Sequence, residues 1–186
     1  SLEWPANLAA SRRSPFLVVY WCRSAACAFS TLLLMMLCAN SAAAQGSLTN
    51  GWNHQGAITP AGDSDIWTVT ANHGDRITVQ IAELTGGAGF TPRIEVFAPT
   101  GATLGVKSNG VAARLDIQAD LGGTYTVMVR DAAQTGTGTY ALRLAQVPGN
   151  FIVPGGDEGA SLTNGVNHLG TIDQGDLDQW TFTANQ

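Results

Sequence analysis

The chain has 186 residues, of which 12% are charged and 45% hydrophobic, with 22 glycines and a formal net charge of −5. Such a low charged fraction with so many glycines argues against a coiled coil or a helical bundle, and the hydrophobic content argues against wholesale disorder. The negative net charge gives no reason to expect a nucleic acid as a partner.

The N-terminal region has the three parts of a secretory signal peptide. Arg12, Arg13 and Arg23 precede an uncharged stretch from Ser24 to Ala44, and this stretch ends in small residues of the Ala-x-Ala type. We therefore predict a signal peptide with an N-terminal extension over residues 1–44, cleaved after Ala44. The exported protein would be secreted, either to the periplasm or to the extracellular space.

Removal of this segment changes the chemistry of the chain. Cys22, Cys27 and Cys38 all precede the predicted cleavage site, so the exported chain would have no disulfide and no thiolate metal site. It would keep 13 acidic and 6 basic residues and no stable membrane span. An uncleaved anchor that reaches back to Phe16 is the alternative, although Arg23 interrupts that longer apolar run.

From Gly51 onward, apolar and polar residues alternate in short runs separated by turn-forming residues. Alternation with β-branched and aromatic residues predicts strands that bury one face. The clearest runs lie over residues 77–82, 94–97, 114–117, 125–130 and 140–145. The pattern predicts an all-β fold, namely an antiparallel two-sheet β-sandwich module over residues 45–146.

The chain then repeats itself. Residues 147–160 are rich in Pro and Gly and are predicted to be a linker. Residues 161–186 match residues 47–73 with one gap, and 17 of the 26 aligned positions are identical. A period near 114 residues suits whole domains in tandem, so residues 161–186 are predicted to be the truncated start of a second β-sandwich module.

Several short motifs occur in a fixed order along the first module: Gly62-Asp63-Ser64-Asp65-Ile66-Trp67, Gly74-Asp75-Arg76-Ile77, Ile94-Glu95-Val96-Phe97, Gly123-Thr124-Tyr125 and Gly138-Thr139-Tyr140. In this order and spacing they resemble the bacterial pre-peptidase C-terminal domain family. The resemblance implies a non-catalytic jelly-roll β-sandwich of secreted bacterial proteins, often attached to peptidases. Relatives such as the collagen-binding modules of clostridial collagenases imply a role in substrate attachment, sometimes with calcium.

Two carboxylates one residue apart occur at the same place in both repeats, as Asp63 and Asp65 and as Asp176 and Asp178. At a strand entrance such a pair can direct oxygens toward a hard cation, and calcium needs about six to eight oxygen ligands. We therefore predict these four residues as candidate calcium ligands. In the alternative interpretation, Asp63 and Asp65 only cap the turn by accepting backbone N–H bonds.

The aromatic residues of the repeats are predicted to be structural. Trp67 and Trp180 fall on the apolar face of their strands, and Tyr125 and Tyr140 are predicted core residues with their hydroxyls at the rim. Trp52 has a valine at its place in the second repeat, so it is predicted to pack at an edge strand or to be partly exposed as a contact residue.

His54 and His168 occupy equivalent positions, which indicates either one structural hydrogen bond that both repeats share or simply a recent duplication. Ser47, Ser64 and Ser108 lack the strained turn and oxyanion donors that a Ser-His-Asp triad needs. The sequence therefore predicts no enzyme within this chain.

The function predicted from the sequence is that of a secreted, non-catalytic accessory module. It would bind an extracellular polymer or protein or act as a spacer there, with calcium as a candidate cofactor. One alternative is the non-catalytic front of a longer secreted hydrolase, such as a peptidase, with its catalytic domain beyond residue 186. Another is a structural spacer in a repetitive surface protein. The reading frame past Gln186 would distinguish them, since further repeats favour binding or spacing and zinc-ligand or triad residues favour the hydrolase.

Overall fold

The computed structural model describes residues 43–86 and 89–184, so the predicted signal peptide lies outside the described residues except for its last two positions. The described residues form strands joined by turns. In chain order the strands are β1 (Ala43–Ser47), β2 (Asn53–Ile58), β3 (Ser64–Ala71), β4 (Arg76–Thr85), β5 (Pro92–Phe97), β6 (Thr103–Ser108), β7 (Ala112–Gln118), β8 (Gly123–Asp131), β9 (Gly138–Val147), β10 (Gly159–Ser161) and β11 (Gln179–Thr181).

Strands β1 to β9 form two sheets, which we call sheet A and sheet B. Sheet A has the order β1-β3-β8-β5-β6, and sheet B has the order β2-β9-β4-β7. Strand β2 pairs antiparallel with β9, β3 with β8, β4 with β7 and β5 with β6, so the pairs are nested from the ends of the module toward its middle. A long hairpin rolled up in this way is a jelly roll, and the predicted all-β sandwich is confirmed.

The core lies between the two sheets and follows the alternation seen in the sequence. On β3, Asp65, Trp67 and Val69 are buried while the residues between them are half-buried. The same alternation holds on β5 and β8. Because side chains of a strand point alternately to opposite faces, each sheet contributes one apolar face to a common cluster.

Strand β1 lies at the edge of sheet A, parallel to β3, with Gln45 after the predicted cleavage site and Ala44 before it. Cleavage after Ala44 would therefore fall inside β1 and leave its last three residues. The amide of Leu48 extends this pairing by donating to the carbonyl of Thr68 at 2.7 Å.

The segment after β9 covers part of the outer face of sheet B. Arg143 on β9 forms ion pairs with Asp157 at 2.6 Å and with Asp176 at 2.8 Å, and all three side chains are nearly buried. The Gln80 side chain donates to the carbonyl of Asp176 at 2.9 Å, and Gly175 lies against Ala82. As a result, β9 is buried on both faces at its centre.

Asp131, at the end of β8, holds the loop that leads into β9. Its carboxylate accepts the backbone amides of Thr91 at 2.8 Å, Thr135 at 3.0 Å and Gly136 at 2.9 Å, and the residue is 1% exposed. Burial alone would raise the pKa of Asp131, but these donated hydrogen bonds outweigh burial and lower it.

Candidate functional site

The two residues of the first predicted aspartate pair have different surroundings: Asp63 lies at the turn before β3, and Asp65 lies in the core. Asp63 accepts the amide of Ser64 at 2.8 Å and that of Thr59 at 3.4 Å, which caps the turn before β3. Asp65 is buried and accepts hydrogen bonds from the Gln45 side chain at 2.7 Å and from the Tyr140 hydroxyl at 2.6 Å. The turn-capping alternative thus describes Asp63, whereas Asp65 bonds to side chains rather than to the turn.

Asp65 begins a buried chain of hydrogen bonds that crosses the sandwich. Tyr140 on β9 donates to Asp65 on β3 and accepts the indole N–H of Trp67 at 2.9 Å. Burial raises the pKa of Asp65, although the bonds from Tyr140 and Gln45 favour its charged form. Burial and the neighbouring Asp65 raise the pKa of Tyr140, so its hydroxyl keeps its proton.

The predicted rim position of the Tyr140 hydroxyl is wrong. The whole residue is buried, because its hydroxyl reaches polar partners on the opposite sheet. Tyr125 is a core residue as well, and its hydroxyl donates to the carbonyl of Leu121 at 2.7 Å near the turn before β8. Trp67 is a core residue as predicted, whereas Trp180 is only half-buried, and Trp52 is 47% exposed.

The second aspartate pair, Asp176 and Asp178, lies among other charged side chains. Asp176 accepts the amide of Leu177 at 2.7 Å and pairs with Arg143. One carboxylate oxygen from each of Asp157, Glu158 and Asp178 lies within 4.8 Å of the other two. Burial raises the pKa of Asp178, and the neighbouring acidic groups of Asp176, Asp157 and Glu158 raise it further.

Calcium binding at Asp63, Asp65, Asp176 and Asp178 stays a prediction, since the contacts of these residues do not test it. Asp63 and Asp65 already accept hydrogen bonds from groups of the module, and Asp176 is paired with an arginine. Asp178 differs, since its Oδ1 atom is buried without a hydrogen-bond partner. The second repeat therefore fits an oxygen-seeking cation better than the first.

The predicted structural role of the two histidines is confirmed. His54 Nε2 accepts the amide of Thr49 at 2.9 Å, and His168 Nε2 accepts the amide of Thr163 at 3.0 Å. Each ring meets the tryptophan of its own repeat edge to face, with centroids 5.1 and 5.0 Å apart. Burial lowers the pKa of His54, which favours the neutral ring that this hydrogen bond requires.

The outer face of sheet A is a candidate contact surface that the sequence reading did not single out. Gly105 on β6 points inward, because a Cβ there would meet the Leu115 side chain at 2.8 Å, so its neighbour Val106 points outward and is exposed. Leu104 is exposed as well and lies at the register shift between β5 and β6. Strand register places Val106 opposite Glu95, and Glu95 opposite Met128.

Further apolar side chains and an arginine pair complete this surface. Ile66 lies opposite Met128, and Phe97 is half-buried on the same face. Arg93 and Arg130 share the carboxylate of Glu95 at 3.5 and 3.4 Å. We call this surface the sheet A face; its residues are Ile66, Arg93, Glu95, Phe97, Val106, Met128 and Arg130, and the exposed Leu104 lies beside Val106 on the same strand. Alternation alone indicated only that these positions point away from the core.

No protein-family model matches the chain, and no curated protein matches it significantly. Among solved structures, PliG of Aeromonas hydrophila, a periplasmic inhibitor of g-type lysozyme, is 16% identical with a TM-score of 0.44, over 57% of this chain and 99% of its own. The pre-peptidase C-terminal domain of a Bacillus anthracis collagenase is 16% identical with a TM-score of 0.41, over 56% of this chain and 95% of its own.

A third structure, CorA, a surface-associated copper-binding protein of Methylomicrobium album BG8, is 10% identical with a TM-score of 0.41, over 56% of this chain and 99% of its own. Across residues 43–86 and 89–184, no helix has the length and apolar character to cross a membrane.

Proposed function

We propose that the protein is a secreted, non-catalytic accessory module that binds an extracellular protein or polymer through the sheet A face. The observation that carries the proposal is the composition of this face. Ile66, Phe97 and Met128 are half-buried there, beside the exposed Leu104 and Val106. Aromatic residues, methionine and arginine are enriched at protein interfaces, and grouped apolar side chains on a surface favour contact with a partner.

The charges on this face favour a partner of particular chemistry. Arg93 and Arg130 both contact Glu95, so the three side chains together carry one positive charge in excess. Because these charged side chains lie beside apolar ones, the face suits a ligand that presents apolar groups next to a carboxylate, which the excess positive charge would attract. Strand β6 adds an edge with a single strand neighbour, to which an extended polypeptide can bond.

The polar groups that catalysis would need have structural roles in the described residues. The lone pair of His54 Nε2 accepts an amide, Asp65 accepts the Tyr140 hydroxyl, and Asp131 accepts three loop amides. These assignments support a module that binds rather than one that catalyses. Calcium assistance remains part of the proposal, with Asp178 as the candidate ligand whose Oδ1 atom has no hydrogen-bond partner.

The proposal can be tested by retention assays with the purified protein on collagen, cell-wall and polysaccharide preparations. Val106→Glu and Gln118→Glu form a matched pair, since both residues are exposed and lie on the edge strands of sheets A and B. We expect one preparation to retain the protein, Val106→Glu to weaken retention at least tenfold, and Gln118→Glu to leave it unchanged. Retention by none of the three, or equal loss in both variants, would contradict the proposal.

A further inference from the structure

A row of four polar residues crosses sheet A at one end of the sheet A face. Ser64 on β3 lies opposite Arg130 on β8, Arg130 lies opposite Arg93 on β5, and Arg93 lies opposite Ser108 on β6. Residues directly opposite each other share one face of a sheet, and neighbouring strands are about 4.7–4.9 Å apart. The row, which we call the arginine row, therefore places two guanidinium groups side by side between two hydroxyls.

The two arginines are like charges directly opposite each other, an arrangement that destabilises a sheet by itself. Glu95 lies between them, 3.5 Å from Arg93 and 3.4 Å from Arg130. Strong hydrogen bonds between a guanidinium and a carboxylate are shorter, about 2.7–2.9 Å. The Nε atoms of both arginines are buried and have no hydrogen-bond partner among the described residues. One carboxylate thus satisfies two guanidinium groups incompletely.

Sheet B has an arginine and a carboxylate at the same spacing, but with balanced charges. Arg114 on β7 lies two residues before Asp116, as Arg93 lies two residues before Glu95, and its guanidinium donates to that carboxylate at 2.8, 3.1 and 3.1 Å. More than half of each of these two side chains is exposed. In the arginine row, by contrast, two guanidinium groups share one carboxylate, and only 28% of the Arg93 side chain and 19% of the Arg130 side chain are exposed.

The arginine row is therefore a local excess of positive charge on an acidic chain. Two guanidinium groups and the Glu95 carboxylate together carry a charge of +1, whereas the whole chain carries −5. One carboxylate from outside would make the group neutral, whereas a phosphate dianion would leave it negative. Because both arginine side chains are largely packed against the sheet, binding costs less side-chain entropy than it would for freely exposed arginines.

The residues beside the arginine row favour a polypeptide as the source of this carboxylate. In the next row along the strands, Ile66 lies opposite Met128, Met128 opposite Glu95, and Glu95 opposite Val106. These apolar side chains are aliphatic, whereas sugar rings are commonly bound by stacking on flat aromatic side chains. The two rows are two residues apart along each strand, which is also the distance between alternate residues of an extended peptide.

We infer that the arginine row binds one carboxylate of an extended polypeptide, an Asp or Glu side chain that lies between Arg93 and Arg130. An apolar residue two positions away along that polypeptide contacts Ile66, Met128 and Val106. Glu95 determines the selectivity, because its charge limits the row to one further negative charge. The inference rests on the proposed function, since the row belongs to the same face, and it names the group by which the partner is recognised.

The experiment titrates the purified, isotope-labelled protein with the peptide acetyl-Ser-Val-Glu-Val-Ser-amide, whose only charge is its glutamate carboxylate. Binding is followed by the guanidinium N–H resonances of Arg93 and Arg130, and that of Arg114 is the internal control. We expect saturable shifts of the first two resonances and no shift for Arg114. The same peptide with glutamine in place of glutamate should bind about tenfold more weakly.

Variants of the protein assign the role of each side chain. Arg130→Gln should weaken binding of the glutamate peptide about tenfold, whereas Arg114→Gln, the matched control on sheet B, should leave it unchanged. Glu95→Gln should tighten this binding roughly threefold, because it removes the competing negative charge. Inorganic phosphate should shift the Arg93 resonance in Glu95→Gln and leave it in place in the wild type.

No shift of the Arg93 and Arg130 resonances, or equal binding of the glutamate and glutamine peptides, would overturn the inference. Weaker binding in Glu95→Gln, or shifts with a uronic-acid polysaccharide but none with the peptide, would overturn it as well. If a preparation retains Arg130→Gln as well as the wild type but loses Val106→Glu, the inference fails and the proposed function stands. Peptide binding at the arginines without retention by any preparation gives the converse result.

Discussion

The Tyr140 hydroxyl donates a hydrogen bond to the Asp65 carboxylate at 2.6 Å, and this bond joins the two sheets through the middle of the sandwich. Both residues are almost fully buried, at 0% and 1% exposed. A buried carboxylate is costly unless hydrogen bonds satisfy it, and Tyr140 and Gln45 provide them. The aspartate of the repeated Gly-Asp-x-Asp motif therefore has a structural role in the first module.

Removal of the Tyr140 hydroxyl tests this role. Tyr140→Phe leaves Asp65 with one donor fewer and the Trp67 indole N–H without its acceptor. We expect a loss of about 2–3 kcal/mol in the free energy of unfolding, measured by urea denaturation.

Tyr125→Phe is the matched control, because Tyr125 is equally buried but bonds to a backbone carbonyl beside a turn. Tyr125→Phe should lower the free energy of unfolding by less than Tyr140→Phe does, by about 1 kcal/mol. If the two variants lose the same free energy of unfolding, the Tyr140–Asp65 hydrogen bond stabilises the fold no more than the Tyr125–Leu121 hydrogen bond does.

Gly56 is expected to tolerate no larger residue. In Gly56→Ala the new Cβ would come within 2.3 to 2.8 Å of three atoms of Tyr140, both on the ring and at the hydroxyl. Such overpacking costs typically about 1–3 kcal/mol, and we expect a value at the upper end in thermal or urea unfolding. Gly110→Ala is the control, since nothing lies within 4 Å of a Cβ there, and it should be nearly neutral.

Asp131 makes the fold sensitive to acid. Its folded-state pKa lies below the ordinary value of about 3.9, so its contribution to stability is fully present above that value and is lost as the pH falls through the lowered pKa. Asp131→Asn should lower stability at pH 7 and flatten the fall of stability below about pH 4. The measurement is urea unfolding from pH 7 to pH 3.

The control for this experiment is Asp120→Asn, because Asp120 is exposed. It should leave the acid profile of the wild type essentially unchanged. A profile of Asp131→Asn that runs parallel to the wild type at every pH would show that the loop amides do not hold the charged form of Asp131.

Calcium binding can be assigned to one repeat or the other by calorimetry. We expect that calcium added to the purified protein releases or absorbs heat and raises the melting temperature, and that Asp178→Asn abolishes both effects. Asp63→Asn should leave them in place, because the oxygens of Asp63 accept turn amides. No heat and no rise in the melting temperature would end the calcium proposal.

The strand pattern and the core could be predicted because they are local properties of the sequence. Alternation on β3, β4, β5, β8 and β9 identifies the inward residues without knowledge of the partner strands. The recurrence of His54 and His168 in the two repeats suggested a shared hydrogen bond, and the structure decides for it over the alternative of duplication alone.

The partners of individual polar groups could not be predicted in the same way. Asp65 and Tyr140 lie 75 residues apart, and only the nesting of β2 with β9 and of β3 with β8 brings them together. The sheet A face depends on the register of four strands for the same reason. Strand β6 has no clear alternation in burial, so only its pairing with β5 shows that Val106 points outward.

The central claim is that this sandwich binds its target through one sheet. The most direct test is an NMR titration of the labelled protein with the preparation that retains it. We expect amide shifts on the outward positions of β5, β6 and β8 and none on β4 or β7. Shifts concentrated on sheet B, or chemical turnover of the added material, would contradict it.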